Sequence, residues 1–417
     1  MNEASKESAT AKNQVPFSRP SISQEEEFAV FNVLRSGWLT TGKEALAFEK
    51  EFSYFVNNVD DSVVQARKEA DLDARDVQSL AVNSATSGMI LAMEACGVKK
   101  GKAVITTPYT FVSTAACAKH LGADVYFADI EKDSYSIAPD KVEEILKADK
   151  EKKIAAIVPV HIAGNICQME RILNLAKKYN VRVIEDAAHA FPSAKRLGYA
   201  GTLGDAGVFS FYVTKTMTTA EGGMVCVRDK KLAQRMATMR MHGMDRTTWD
   251  RYTSPRASWE YDIVDLGWKF NLPDLLATLG RVQLARSKEF FEKRKNIVRL
   301  YNEAFSKMDF VQLPPDGEGN SWHLYLCRLN LDKLKINRDE FAKTLQKTGI
   351  GISVHFIPLF YFFYWKNLAP SFNEKNFPNA ARQYKRTISL PLWPDMTEEM
   401  ALTTIEAVKE IGEKNHA

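Results

Sequence analysis

The stretch 181–224, VRVIEDAAHAFPSAKRLGYAGTLGDAGVFSFYVTKTMTTAEGGM, contains two short apolar runs that each end in reactive side chains. The first, Val181, Val183 and Ile184 interrupted only by Arg182, stops at Glu185 and Asp186 and gives way to Ala187 and Ala188. It reads as a buried parallel strand whose carboxyl end opens onto a site. Ligands of open α/β sheets collect at that end, so Asp186 stands where a ligand would sit. The second run, 208–212, leads to Lys215, to Thr218 and Thr219, and then to Glu221, Gly222 and Gly223. A glycine pair there implies close backbone approach before a further strand over 224–227.

Taken singly, these features are ordinary. Acids after strands often cap the following turn, and a lysine there is commonly a solvated charge. A third element upstream changes the weighting. NSATSG (83–88) precedes 89–96, a run with helical spacing, so a helix amino terminus rich in small hydroxyl residues follows a short strand. Free backbone amides and the helix dipole make such a terminus an anion site, although a plain serine N-cap would carry the same sequence. A carboxylate, a lysine and an anion loop together are what pyridoxal phosphate needs: the acid keeps its pyridine nitrogen protonated so that the ring drains electrons from a substrate carbanion.

Further strands are expected over 104–107, 125–128 and 154–160, alternating with helices from about 80 to 227, which describes a mainly parallel sheet covered by helices. The last of these ends in His161, expected to pack or hydrogen-bond near the site. Pro273 opens a helical pattern running to about Phe305, with proline allowed in the first turn. It bridges to a smaller carboxy-terminal domain with strands around 322–331, a helix over 338–348 and a final helix after Thr397. The expected division is a tail over 1–15, a large cofactor-binding domain over 16–265, and the bridging helix with the small domain over 266–417.

The motifs PFSRP (16–20), SGWLTTG (36–42), NSATSGM (83–89), VIEDAAHA (183–190), AEGGM (220–224), KFNLPDL (269–275) and SLPLWPDMT (389–397) resemble those of the DegT/DnrJ/EryC1/StrS nucleotide-sugar aminotransferases. The resemblance runs from Pro16 to about Gly412, and within the family it is greatest to enzymes that aminate a UDP-4-keto-pentose for lipid A. It implies an α/β architecture of the aspartate aminotransferase type (fold type I) with pyridoxal 5'-phosphate as cofactor. It also implies roles. Lys215 would bond the cofactor and then shuttle a proton, and Asp186 would pair with the pyridine nitrogen. His189 would lie by the ring oxygen, and Phe111, in TTPYTFVST (106–114), would stack on the ring. Thr86, Ser87 and Ser210 would hold the phosphate, with Asn271 supplied by a second subunit of a homodimer that shares its sites. Lys269 becomes a candidate for the nucleotide diphosphate, and one or two of His355, Phe360 and Tyr361 for the acceptor pocket. The implied reaction moves an amino group from glutamate to a keto sugar of a nucleotide sugar by ping-pong turnover, for lipid A or another surface polysaccharide. A dTDP-sugar or 3-keto-sugar acceptor is the alternative. Relatives that dehydrate instead carry histidine at the lysine position, and this chain keeps Lys215. A silent sensor or scaffold on the same fold is the competing class, against which the intact Asp186 and Lys215 argue.

The composition suits such an enzyme. With 417 residues, 45% of them hydrophobic, the chain can bury a large core. Its formal net charge of +4 is small, and no basic run points to nucleic acid. Five cysteines show no paired spacing and read as free thiols of a reducing cytoplasm. No apolar run is long enough to span a bilayer, and none of the seven histidines forms an HExxH pairing, so neither membrane insertion nor a metal site is expected.

Two regions depart from the family pattern. A charged insertion over 56–80 contains DDSVVQARKEADLDARD (60–76) and reads as a short amphipathic helix on a solvated surface. HFIPLFYFFYW (355–365) is so dense in aromatics that most of it should be core or subunit interface.

Overall fold

A computed structural model describes residues 14–70, 72, 75–246, 259–315, 317 and 319–417. Nine strands form in the first part of the chain: β1 (Gln78–Val82), β2 (Ala103–Thr106), β3 (Asp124–Phe127), β4 (Ile154–Ile157), β5 (Arg182–Asp186), β6 (Ala194–Lys195), β7 (Gly198–Tyr199), β8 (Ala206–Ser210) and β9 (Gly223–Val227). β6 and β7 make a small hairpin, and the other seven form one sheet in the order β1-β9-β8-β5-β4-β2-β3. Within that sheet β3, β2, β4, β5 and β8 run parallel, and β9 lies antiparallel between β8 and β1. The expected α/β class with a mainly parallel sheet is what forms.

Both faces of this sheet are covered, and the strand sequences show why. Successive side chains point to opposite faces, so Ile105, Val183, Phe209 and Met224 join one core. Their neighbours Val104, Ile184, Val208 and Val225 join another. The first core receives helices Lys43–Asn57 and Asp274–Ala285, and the second receives Ala85–Ala95 and Lys230–Met239. Phe52 lies at the centre of the first, with the rings of Phe48, Phe191, Phe209 and Phe211 at 5.1–6.3 Å.

A second sheet in the carboxy-terminal part pairs β10 (Val311–Gln312), β11 (Tyr325–Leu329) and β12 (Thr387–Leu390) antiparallel. Helices Ser287–Phe305, Arg338–Lys347 and Glu398–Lys414 pack on it. Three details differ from the sequence reading. Val15, assigned to the tail, is buried in the core of this second sheet and bridges Ile350; residues 1–13 lie outside those described. The bridging pattern from Pro273 to Phe305 is two helices, broken at Arg286, whose guanidinium donates to Glu26 Oε1 at 2.7 Å. Within the insertion, helix Asp61–Glu69 is more than a solvated elaboration. Arg67 is 6% exposed and donates to Leu197 O at 2.6 Å and Thr202 Oγ1 at 3.0 Å.

Candidate active site

The carboxyl ends of β5 and β8 and the amino end of helix Ala85–Ala95 converge on a cavity of about 330 Å3. Asp186 closes β5 and is held there from two sides. Thr114 donates to its Oδ2 at 2.6 Å, and the Ala188 amide donates to Oδ1 at 3.2 Å. Thr114 is itself in contact with Thr110 Oγ1 at 2.8 Å, so the carboxylate is oriented by a hydroxyl chain rooted in 106–114. Lys215 lies in the turn after β8, its amide donating to Tyr212 O at 2.9 Å. Burial drives the Lys215 amine down to about 8, and the Asp186 carboxylate only partly opposes this.

The lysine loop is stitched to what surrounds it. Phe211 N donates to Gly222 O and Thr219 N to Phe211 O, each at 2.9 Å, and Thr216 Oγ1 donates to Phe191 O at 2.6 Å. Gly223 lies so close to the anion loop that a Cβ there would stand 2.8 Å from both Ala85 N and Phe209 O. This is the close approach implied by the glycine pair.

At the helix amino terminus Ser84 caps the helix, its Oγ accepting from Ser87 N at 3.1 Å. Ser84, Ala85, Thr86 and Ser210 line the cavity, with free amides of the first turn presented to it. Ser87 does not: its hydroxyl turns back to Asn83 Oδ1 at 2.6 Å. Phe111 lines the opposite side with 57% of its surface exposed, which leaves a free aromatic face.

Three histidines complete the wall. His189 accepts from the Ala163 amide through Nδ1 at 3.3 Å, its ring 4.4 Å from that of His323 and 5.4 Å from that of Phe356. His355 is in hydrogen-bond contact with Ser389 Oγ through Nδ1 at 2.8 Å. Burial, reinforced by Lys215, pushes His355 down to about 4 and holds His189 well below the ordinary imidazole range, and burial reinforced by His189 and then Lys215 does the same to His323. All three are therefore neutral near pH 7.

Other residues singled out in the sequence lie elsewhere. His161 is fully buried beneath the site, bound to Glu185 Oε2 at 2.9 Å while its Nδ1 accepts from Cys167 N at 3.2 Å. Burial alone would raise Glu185, but His161 and the amides of Gly201, Leu203 and Gly204 outweigh it and hold the carboxylate below its usual range. Asn271 is buried against Thr41, donating to its Oγ1 at 2.6 Å, and Lys269 approaches Met241 Sδ at 3.4 Å; neither lines the cavity. Of the aromatic run, His355 and Phe356 reach the wall. Phe360 instead packs among Phe372 and Phe377, and the Tyr361 hydroxyl donates to Glu374. The sequence reading passed over Thr114, Phe17, His323 and Phe356, although a lone histidine in the apolar run SWHLYL (321–326) was a usable signal for His323.

Comparison with known proteins agrees with this geometry. The DegT/DnrJ/EryC1/StrS aminotransferase family profile matches residues 70–409. The uncharacterized protein MJ1066 of Methanocaldococcus jannaschii is 39% identical over 96% of this chain and 98% of its own. The spore coat polysaccharide biosynthesis protein SpsC of Bacillus subtilis is 38% identical over 95% of this chain and 97% of its own. Among solved structures, a putative sugar aminotransferase, Spr1654 from Streptococcus pneumoniae, in its PMP form, superposes with a TM-score of 0.82 at 28% identity, covering 96% of this chain and 99% of that one. The residues present here fit pyridoxal phosphate: an amide and hydroxyl cup for the phosphate, a buried and oriented carboxylate, an amine of lowered basicity and a free aromatic face. The chain belongs to the DegT/DnrJ/EryC1/StrS aminotransferase family and is a pyridoxal phosphate-dependent aminotransferase.

Proposed function

We propose that the enzyme transfers the amino group of glutamate to a UDP-linked 4-keto sugar destined for a surface polysaccharide, in two half-reactions at one site. The observation that carries this reading is the shared cavity of Asp186 and Lys215, with the helix amino terminus at its edge. When bound, the cofactor supplies an electron sink for the carbon that loses its proton. Every other part of the chemistry belongs to the chain. Asp186, aimed by Thr114 and the Ala188 amide, would pair with the heterocyclic nitrogen and keep it protonated. Lys215 Nζ, made less basic by burial, would remove the donor's α-proton and pass it on within the first half-reaction, and would deliver a proton to the acceptor carbon in the second. Thr86 and Ser210 receive the phosphate with the first-turn amides, and Phe111 stacks on the ring, an offset contact contributing about 0.5–1.5 kcal/mol. His189 and His355 offer uncharged hydrogen-bonding groups to the ring oxygen and the sugar.

A homodimer with shared sites belongs to the same reading. The cavity wall of one chain includes one lysine and no arginine among the described residues, yet the substrates bring at least one carboxylate and a diphosphate. Additional cations must come from elsewhere, and Lys269, exposed beside the anion loop where Asn83 Nδ2 donates to its carbonyl at 3.3 Å, is suited to reach a neighbouring subunit's site. The name of the Bacillus relative supports a polysaccharide destination. The test is a visible spectrum of the purified protein, taken before and after glutamate and then with a panel of UDP- and dTDP-linked keto sugars. A visible band that glutamate removes and one UDP-4-keto sugar restores is the expected result. A band indifferent to glutamate, or restored only by a dTDP sugar, would overturn the donor or the acceptor respectively.

A further inference from the structure

A second cavity, of about 650 Å3, lies in the carboxy-terminal part between the turn after β11 and the helix Pro378–Arg386. Lys333, Lys375, Arg382, Lys385 and Arg386 face it against two acids, Asp332 and Glu374. Glu374 is already engaged, paired with Lys385 at 2.9 Å and accepting from the Tyr361 hydroxyl. Lys333 and Arg382 form long pairs with Asp309 at 3.9 Å and Asp133 at 3.8 Å at the rim, so the unpaired positive charge of the cleft, among the described residues, lies on Lys375 and Arg386.

That charge extends into the interior. Arg386 is only 7% exposed; its Nη2 donates to the amide oxygen of Gln312, and its Nε has no partner. Arg328, 4% exposed on β11 behind it, gives Nε to Leu313 O and Nη1 to Asp133 O, both at 3.0 Å. Neither buried guanidinium is paired with a carboxylate among the described residues. Burial, then Arg328 and Arg382, hold Arg386 below its ordinary basicity, so these charges are packed close enough to oppose one another. Buried charges are normally paired because desolvation without a counter-charge is costly. A cluster left open toward a cavity is instead arranged to take its counter-charge from a ligand.

We infer that this cleft is a second anion site, separate from the active site, and that it binds a phosphorylated small molecule. The planar guanidinium forks of Arg382 and Arg386 suit the oxygens of a phosphoryl group, and Lys333 and Lys375 at the mouth suit a second one. The cavity is roomier than inorganic phosphate needs, which favours a phosphate ester or a diphosphate.

The experiment is calorimetric titration of the full-length, cofactor-loaded protein with inorganic phosphate and with pyrophosphate, at ionic strength held constant with chloride. It is repeated with the double variant Arg382→Gln/Lys375→Gln. Both positions are exposed, so the fold and the cofactor's visible band are expected to persist. Saturable pyrophosphate binding that weakens at least about tenfold in the double variant, and weakens as salt is raised, is the expected result. Binding that is unchanged in the double variant belongs to another part of the molecule and overturns the inference. So does the absence of saturable heat in the unaltered protein. Arg386→Gln, read by the same titration, tests the floor of the cleft where that variant folds.

Discussion

Raising the pH of the cofactor-free enzyme titrates Lys215, and its position in the structure sets where that titration falls. Burial brings the amine from 10.5 to about 8, with Asp186 pulling the other way. At about pH 7 a lysine of ordinary basicity is uncharged in roughly 0.03% of molecules, and one titrating near 8 in roughly 9%, a gain of about 300-fold in the nucleophilic form. Capture of pyridoxal phosphate requires that form. The assay mixes cofactor-free protein with pyridoxal phosphate in a stopped-flow absorbance cell from about pH 6 to about pH 10. Each rate is divided by that of a blocked lysine at the same pH, so that the ionisations of the cofactor cancel. Below 8 both amines gain free base tenfold per pH unit and the ratio is flat; above 8 Lys215 has no more to gain and the ratio falls about tenfold per unit. Replacing Asp186 with Asn removes the one group that raises the amine, so the bend should move to lower pH. A ratio that stays level to pH 10 would refute the depressed amine, and a bend displaced upward in Asp186→Asn would refute the part assigned to the carboxylate.

Other perturbations test the scaffold around that amine. Thr114→Val removes the 2.6 Å donor to Asp186 and should cost about 1.5–3 kcal/mol, lowering kcat/KM roughly 10- to 100-fold; steady-state rates within twofold of the parent would contradict it. Gly223→Ala sets a Cβ 2.8 Å from Ala85 N and Phe209 O. It should lose about 1–3 kcal/mol and weaken cofactor retention, measured by denaturant melts and by dialysis against buffer; full retention would mean that the backbones yield there. Arg67→Ala detaches helix Asp61–Glu69 from Leu197 and Thr202, with an expected loss of about 1.5–3 kcal/mol and faster proteolysis of the insertion, and an unchanged cleavage rate would return the helix to the solvated surface. Phe52→Ala empties the centre of the aromatic core and should cost about 3–5 kcal/mol in the same melts, and a loss below 1 kcal/mol would mean that the surrounding rings collapse into the space.

What could be read from the chain was what strand geometry places locally. A parallel strand presents its last residue at the carboxyl edge of the sheet, so Asp186 and the loop of Lys215 were legible from two short apolar runs, and the anion loop from the hydroxyl residues before a helix. Residues brought in by distant elements were not legible in this way. Phe17 and His323 reach the cavity only because segments far apart in sequence pack together. Thr114 was hidden differently: it lay in the motif quoted for Phe111, but which of several hydroxyls turns toward Asp186 depends on how helix Ser113–His120 docks. The resemblance pointed to Phe360 and Tyr361, which lie outside the cavity lining, whereas the aromatic composition of the run had marked most of it as core or interface without saying against what. Charge pattern misled at Arg67, whose fork satisfies a carbonyl and a hydroxyl inside the fold. The long pattern from Pro273 to Phe305 hid its break because an apolar stripe continues through Arg286, where the backbone turns at φ −89° and ψ −2°.

The charge state of the wall decides which group carries the proton. Histidine is the usual carrier near neutrality, and three imidazoles stand in this cavity, so the sequence alone would leave the choice open. Desolvation supports the lysine, as the proposed function has it. Each imidazole is buried and faces Lys215, and protonating any of them would set a second cation beside the first in a poorly hydrated space. With His355 at about 4, only about one molecule in a thousand holds that ring protonated at pH 7. Lys215, near 8, exchanges its proton within reach of neutrality. On the proposed function, the same burial would silence the histidines as acids and free the lysine as a base, so that the imidazoles would fix geometry by hydrogen bonds while the amine would move the proton.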